Sequence, residues 1–495
     1  MLAPKKDEFF GIYYFRQAAL LILSILFLPL SASITIIVLI LGRLHLVRVQ
    51  RRNVDKKAPR VLVTGVGMSK GLFLARSLHL GGCTVFGADF EKNGSLYCGR
   101  FSNAIRRFFQ LRNPISEGID AYISQVVSIV RTEKIDLWIS CSGVATAMED
   151  AKLAEVLRER TKCKVFQFDE NIISTLDNKL NFMKKTSELN IAKVQWYHLA
   201  NINGIPGVLK KIEESAKLGL GEKFIIKSVS MDDISRASLP LLSSHNLLDA
   251  EQVLQSLDYS SRREWIIQEF VESGEEYCTH ALVINGRVRA FTACPSESIL
   301  MHYQQLDPDS ILYEKMLDFT QKYAAGLGNI TGHMSFDFLI SYRKTESGYT
   351  GILVPIECNP RCHTATVLFD GKETDLTDRY LETIYGEQNT AILQAKLDQQ
   401  YGFYWISHDL ILHFLSPIFR LVLGSRDLNW RQEVWQILML INHVLTWKDP
   451  TFAWWDPLPW FVLNHLFWPC ELLMCCVNRM KWKQINVSTG KIFKM

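Results

Sequence analysis

Pro355-Ile356-Glu357-Cys358-Asn359-Pro360-Arg361, with Met334-Ser335-Phe336-Asp337-Phe338 upstream of it, is the stretch on which the reading of this chain turns. Both segments read as neighbouring strands. Residues two apart on a strand share a face. Glu357 and Asn359 therefore point the same way, and Arg361 continues their row. Asp337, on the neighbouring strand, is expected on the same surface. Two carboxylates and an amide oxygen are hard donors, suited to Mg²⁺ or Mn²⁺ held against phosphate oxygens. The plain alternative is a surface hairpin carrying solvated charge.

The elements before that stretch supply cations and a hinge. Lys179 opens a helix running to Leu189. Lys227 closes the strand Phe224-Ile225-Ile226-Lys227 and enters a polar loop, Ser228 to Ser238. Glu269, Phe270 and Val271 end the strand that begins at Glu264, and Glu276 follows a turn. Two lysines can neutralise phosphate oxygens as point charges. The backbone at Glu269–Val271 can bond an adenine edge, Glu276 can take ribose hydroxyls, and the polar loop can close over a terminal phosphate. Each residue alone is ordinary surface charge; the order and spacing of the set carry the argument.

The N-terminal part reads as a separate unit. Arg60-Val61-Leu62-Val63-Thr64-Gly65-Val66-Gly67-Met68-Ser69-Lys70-Gly71 runs strand, glycine turn, helix, and Thr84–Ala88 is a second strand ending at Asp89. Further strands at Leu137–Ser140 and Val165–Phe168 predict a small doubly wound parallel sheet. The glycine spacing, G-x-G-x-x-x-G, is one residue off the usual dinucleotide fingerprint, so an NAD-dependent reductase is a weaker alternative. Asn285-Gly286 between Tyr277–Ile284 and Val288–Thr292 predicts a hairpin, and a helix is expected around 309–326.

The ends differ from the middle. Residues 18–42 carry no charge, enough apolar length to cross a bilayer as a helix. Arg16 precedes them, and Arg43, Arg48, Arg51, Arg52, Lys56 and Lys57 follow, a flank that places the bulk of the chain on the cytoplasmic side. A signal peptide, or a re-entrant hairpin bent at Pro29, are the competing readings. Residues 450–477 hold Trp454, Trp455, Trp460 and Trp468, followed by Arg479, Lys481 and Lys483. That pattern suits a membrane interface or an internally packed helical subdomain.

The formal charge of +4 over 495 residues, with no basic stripe interleaved with aromatics, gives no argument for nucleic acid. The 11 cysteines form no CxxC pair and read as reduced, buried thiols. Cys358, Cys362 and His363 lie close together but lack a fourth ligand at metal-like spacing.

The set Lys179, Lys227, Glu269–Val271, Glu276, Asp337 and E-x-N-P-R at 357–361 resembles the ATP-grasp superfamily over residues 58–390. Many relatives have a glycine-rich lid after the second lysine; here Lys227-Ser228-Val229-Ser230-Met231-Asp232-Asp233-Ile234-Ser235-Arg236 has none. With Glu275-Glu276-Tyr277-Cys278-Thr279-His280, Phe403-Tyr404-Trp405-Ile406-Ser407-His408-Asp409 and Asp456-Pro457-Leu458-Pro459-Trp460-Phe461, the chain is similar to the branch of ligases that make mycosporine-glycine. The resemblance implies an α/β and α+β fold. A doubly wound domain (58–175) would precede an ATP-grasp domain of two lobes (176–390, break near 268). A hydrophobic segment (1–57) and a helical, aromatic-rich region (391–495) would flank them. It implies ATP with Mg²⁺ or Mn²⁺ at Asp337, Glu357 and Asn359, and a C–N bond formed between glycine and 4-deoxygadusol. ATP contacts would come from Lys179, Lys227, Glu269, Phe270, Val271 and Glu276. Catalytic charge stabilisation would come from Arg361, Lys227 and Arg289, and substrate contacts from His280, His363 and Arg236. The expected partners are small molecules and a membrane. Another acceptor for the same chemistry, and a non-catalytic nucleotide-binding scaffold, stay open.

Overall fold

The computed structural model describes residues 10–46, 49–53, 57–91, 96–141, 143, 146–192, 194–217, 222–229, 239–259, 263–271, 274–296, 302–345, 348–387, 390–395, 401–422, 429–478, 480, 482–486 and 491–494. The fold is α/β followed by α+β. The first sheet is parallel, order β3-β2-β1-β4-β5, from β1 (Arg60–Thr64), β2 (Thr84–Asp89), β3 (Ile105–Gln110), β4 (Leu137–Ser140) and β5 (Lys164–Phe166). Its central strands are apolar on both faces and buried, as a sheet covered by helices on each side requires. β3 was not expected: Arg106 and Arg107 are exposed on this edge strand and break the apolar run by which a strand is read.

A four-stranded antiparallel sheet follows, order β6-β9-β7-β8, from β6 (Trp196–Leu199), β7 (Lys223–Ser228), β8 (Leu242–Ser243) and β9 (Trp265–Glu269). Phe224, Ile226, Trp265 and Ile267 bury one face against helices Ile205–Lys217 and Leu247–Gln255. Lys227 and Gln268 lie on the other face.

The third sheet has order β13-β12-β10-β11-β14, from β10 (Glu276–Ile284), β11 (Arg287–Pro295), β12 (Gly332–Thr345), β13 (Gly348–Asn359) and β14 (Leu393–Gln394). The β10–β11 hairpin turns at Asn285 (φ 50°) and Gly286 (φ 74°), the left-handed pair that the two-residue turn demands. Phe336 and Phe338 pack with Phe319 of helix Ile311–Gly326, and Phe336 also meets Phe182 and Tyr323. That leaves the intervening Asp337 on the opposite face. The parallel unit and two α+β sheets are the layout that the ATP-grasp resemblance implied.

Helix Phe10–Arg43 runs unbroken through Pro29, so the hairpin bend allowed by that proline does not form; Ser33 Oγ donates to Pro29 O at 2.8 Å. This helix and the continuous helical stretch Leu458–Val477 are both long and apolar enough to cross a membrane by length and composition. They pack together, and Ser24 Oγ donates to Asn464 O at 3.1 Å. The tryptophans of the C-terminal region divide: Trp468 is buried, Trp454 is exposed, and Trp455 stacks on His79 with ring centroids 5.6 Å apart. A larger apolar surface comes from helix Trp430–Thr446, where Trp430, Val434, Leu438, Ile441 and Leu445 are exposed.

The Asp456 segment is anchored rather than loose. Arg76, on helix Ser69–Leu80, reaches Asp456 Oδ2 at 2.9 Å and donates to Pro450 O, Thr451 O and Asp456 O; Ser102 Oγ and Asn103 N also donate to the same carboxylate. A buried ion pair is tolerable when its remaining donors and acceptors are filled in this way.

Candidate functional site

The pairing of β12 with β13 places Asp337 opposite Glu357 and Ser335 opposite Asn359. β10 sets Cys278 opposite Asp337 and Glu276 opposite Leu339, so Glu276, Asp337, Glu357 and Asn359 share one face. The register slips between Asp337 and Phe338, where Phe338 pairs with Pro355 and leaves Ile356 as the extra residue. Such a bulge twists the strand and re-aims the next side chain, here Glu357. Only Pro355 hinted at it in the sequence.

Asn359 Nδ2 donates to Asp337 Oδ2 at 2.9 Å, and Arg361 donates to Asn359 Oδ1. The same guanidinium pairs with Asp177 Oδ1 at 3.1 Å, tying the site to the start of helix Lys179–Glu188. Asp337 titrates well above the usual carboxylate range. Burial is the main cause, and the charges of Glu357 and Glu276 add to it, while Arg361 opposes them. Three acids held together at a cost in electrostatic energy are what a divalent cation relieves. The donor set therefore fits Mg²⁺ or Mn²⁺ by its chemistry.

Lys227, nearly buried, donates to Gln268 Oε1 at 2.6 Å, and Gln268 Nε2 donates to Pro355 O at 3.4 Å. Gln268 thus bridges the four-stranded sheet to β13, and Lys227 is brought toward the acidic face. The glutamine was not singled out in the sequence because its role depends on the approach of two sheets. Lys179 is half-buried, and its ammonium makes no hydrogen bond or ion pair among the described residues. At the hinge, the amides of Glu269 and Phe270 bond Gln195 O and Lys223 O, so Val271 is the first of the three past the sheet's pairing.

Other expected residues lie elsewhere. Arg289 is not open to a substrate: Nε and Nη2 grip Glu382 at 2.7 and 3.1 Å, Nη1 meets Glu387 at 2.9 Å, and both Arg289 and Glu382 are buried. The geometry is that of a brace between β11 and helix Glu373–Tyr385. His280 is buried at the inner end of the face, beside His333, His363 and Lys70. Burial first, then these neighbours, keep its imidazole neutral by lowering its titration well below the ordinary range. His363 caps the turn Thr364–Phe369 through Ala365 N at 3.2 Å. Cys362 groups with His280 and His333 at ligand distance, and its sulfur also lies 3.8 Å from His363 O. Lys70, from the glycine turn, is buried and donates to Cys362 O at 2.6 Å. Arg236, with the rest of the expected lid at 230–238, lies outside the described residues, as do Arg48, Lys56, Arg479 and Lys481.

The glycine turn is filled by its own chain. Gly67 N donates to Asp89 Oδ2 at 2.7 Å, and a Cβ on Gly67 would come within 2.4 Å of the Tyr97 ring. Burial raises the Asp89 carboxyl to about 6 against the pull of the Gly67 and Phe90 amides. Two cavities lie apart from the acidic face. One of about 470 Å³ is apolar, between the N-terminal helix and the C-terminal helices; one of about 630 Å³ borders Arg158, Lys162 and Asn285.

No protein-family model matches the chain, and no curated protein matches it. Solved structures resemble it in part. The biotin carboxylase domain of 2-oxoglutarate carboxylase from Hydrogenobacter thermophilus, in complex with MgADP, ADP and bicarbonate, is 11% identical, with 68% of this chain and 72% of that one covered at a TM-score of 0.47. N5-carboxyaminoimidazole synthetase from Staphylococcus aureus is 13% identical, with 70% and 82% covered at 0.46. Carboxyaminoimidazole ribonucleotide synthase from Aspergillus clavatus, complexed with ATP, is 13% identical, with 68% and 80% covered at 0.45.

Proposed function

We propose that this chain is an ATP-dependent ligase of the ATP-grasp type that forms a C–N bond, with glycine as the amine and 4-deoxygadusol as the acceptor. The observation that carries the reading is the acidic face itself. Asp337, Glu357 and Asn359 lie in register, with Glu276 beside them and Lys227 linked to their strand through Gln268. Asp337, Glu357 and Asn359 would hold Mg²⁺ or Mn²⁺, which neutralises phosphate charge when bound.

In this reading the enolic oxygen of the acceptor attacks the γ-phosphorus of ATP and ADP leaves. The glycine amine then adds to the phosphorylated carbon, and the C–O bond to phosphate breaks as the amine loses a proton. Phosphorylation turns a poor leaving oxygen into a good one. Lys227, Lys179 and Arg361 stabilise the charge on the transferring group, the main form of catalysis in phosphoryl transfer. Val271 is the hinge residue for the adenine edge, and Glu276 serves the ribose. The two apolar helices support membrane association with the ATP-binding part on the cytoplasmic side. The apolar cavity beside them favours a second reading, in which the same chemistry serves a membrane-borne carboxylate.

The test is ADP release over a panel of amines and acceptors, with product absorbance recorded. Glycine-dependent turnover with 4-deoxygadusol and a new aminocyclohexenone chromophore supports the first reading, and an amide product without that chromophore supports the second. ATP turnover unchanged in Glu357→Ala and Asn359→Ala would overturn the metal assignment, and ATP binding without turnover in the wild type over the whole panel would overturn both readings in favour of a non-catalytic nucleotide-binding scaffold.

A further inference from the structure

Beside the C-terminal helices, four side chains converge that the proposed ligase chemistry does not use. His302 comes from the segment after β11. Asp409 and His413 come from the helical stretch beginning at Ile406, and His443 from helix Trp430–Thr446. One ligand atom from each lies within 4.8 Å of the others. His302 Nε2 meets Asp409 Oδ1 at 2.7 Å and His443 Nδ1 meets Asp409 Oδ2 at 2.6 Å. The His302 and His443 rings are 4.4 Å apart, and the His413 ring lies 5.7 and 5.8 Å from them. Asp409, His413 and His443 are buried.

We propose that His302, Asp409, His413 and His443 form a binding site for one divalent first-row transition-metal ion, which fastens the C-terminal helices to the segment after β11. Three imidazoles and one carboxylate, with no thiolate, are borderline donors of the kind that take Zn²⁺ or Fe²⁺. Mg²⁺ prefers an oxygen set, and Cu⁺ a sulfur set. Four protein ligands close the coordination sphere, which is the mark of a structural centre.

Two independent features support a ligand. The first is His413. Its Nδ1 hydrogen bonds Gln436 Oε1, which can only accept, so Nδ1 carries the proton and Nε2 keeps its lone pair. That Nε2 is buried and has no hydrogen-bond partner among the described residues. A ring oriented by an outer carbonyl with its other nitrogen bare is how metal-binding histidines are held. The second is the backbone. The helix widens into a π-helical turn at Leu410–Leu415, between Asp409 and the rest of the helix, and His413 lies inside it. Such turns recur at functional sites. His302 also neighbours Tyr303, whose backbone pairs with Phe403 just ahead of the same helix.

The test uses the full chain purified in detergent without a polyhistidine tag, stripped with chelator, then dialysed against Zn²⁺ or Co²⁺ alone. About one equivalent of Zn²⁺ should stay with the chain, and Co²⁺ should develop the visible bands of a low-coordinate site. Asp409→Asn and His413→Gln should lose the retained ion. Gln436→Leu should weaken binding by about 10- to 100-fold, and Asp337→Asn should leave it unchanged. No retained ion in the wild type, or full retention in Asp409→Asn combined with His413→Gln, overturns the proposal. If the variants fail to fold, the wild-type Co²⁺ spectrum decides: low-coordinate bands support the site, and the weak spectrum of hydrated cobalt refutes it.

Discussion

Replacing Arg289 by Met separates a brace from a catalyst. The bidentate contacts to Glu382, at 2.7 and 3.1 Å, are almost dry, with side chains 4% and 2% exposed. Removing one partner of a buried pair costs about 3–5 kcal/mol, because the other charge stays buried without compensation. Two contacts adjust that range. Arg379 Nη1 still holds Glu382 Oε1 at 2.7 Å, so part of the carboxylate's compensation survives. The lost contact to Glu387 involves a partner 36% exposed, so it adds less than about 1 kcal/mol. Met keeps the apolar stem of the arginine in place. The expected loss is therefore about 3 kcal/mol, at the lower end of the range. Adding Glu382→Gln should recover part of it, since an amide is cheaper to leave in that pocket than an ion. The assay is urea unfolding followed by tryptophan fluorescence, paired with ATP turnover per folded molecule. A lower midpoint with turnover within about twofold of wild type is expected. Unchanged stability with turnover reduced a hundredfold would refute the brace and return Arg289 to catalysis.

Three further outcomes follow from the same contacts. Lys227→Met should lower kcat/KM for ATP by about 100-fold or more, while Lys57→Ala on the exposed linker should leave it unchanged; equal losses in steady-state assays would mean general destabilisation. The raised Asp337 carboxyl makes a folding contribution that is full below the ordinary carboxylate range and is lost as pH rises through its elevated range. Metal-free wild type should therefore lose stability over that rise while Asp337→Asn loses less, and identical pH slopes in denaturation would sink the assignment. Asp456→Ala strips Arg76 of its carboxylate and frees the Ser102 and Asn103 donors, so it should cost about 3–5 kcal/mol; a change below about 1 kcal/mol in thermal unfolding would show that the segment is not an anchor.

The legible parts of this chain were those governed by local rules. Asn285-Gly286 fixed a hairpin because the turn needs two residues with positive φ. Glu357 and Asn359, two apart, fixed a shared face because strand side chains alternate. The apolar length of residues 18–42 fixed a helix, and the chain keeps it through Pro29. β6 and the edge strand β3 escaped because they are short or carry charge where an apolar residue would have marked them.

What the sequence by itself determined was the acidic row, its hard-donor character, and the order of sheets that carries it. Tertiary structure alone decided which polar groups are spent on one another. Arg289 and Glu382 stand far apart in the chain and meet only when a helix docks on β11. Gln268 gains its role when two sheets approach, and His302 finds Asp409 and His443 across three separate elements. A side chain's intrinsic chemistry is local. Whether that chemistry remains available depends on burial and on long-range partners, and no local pattern of residues encodes either.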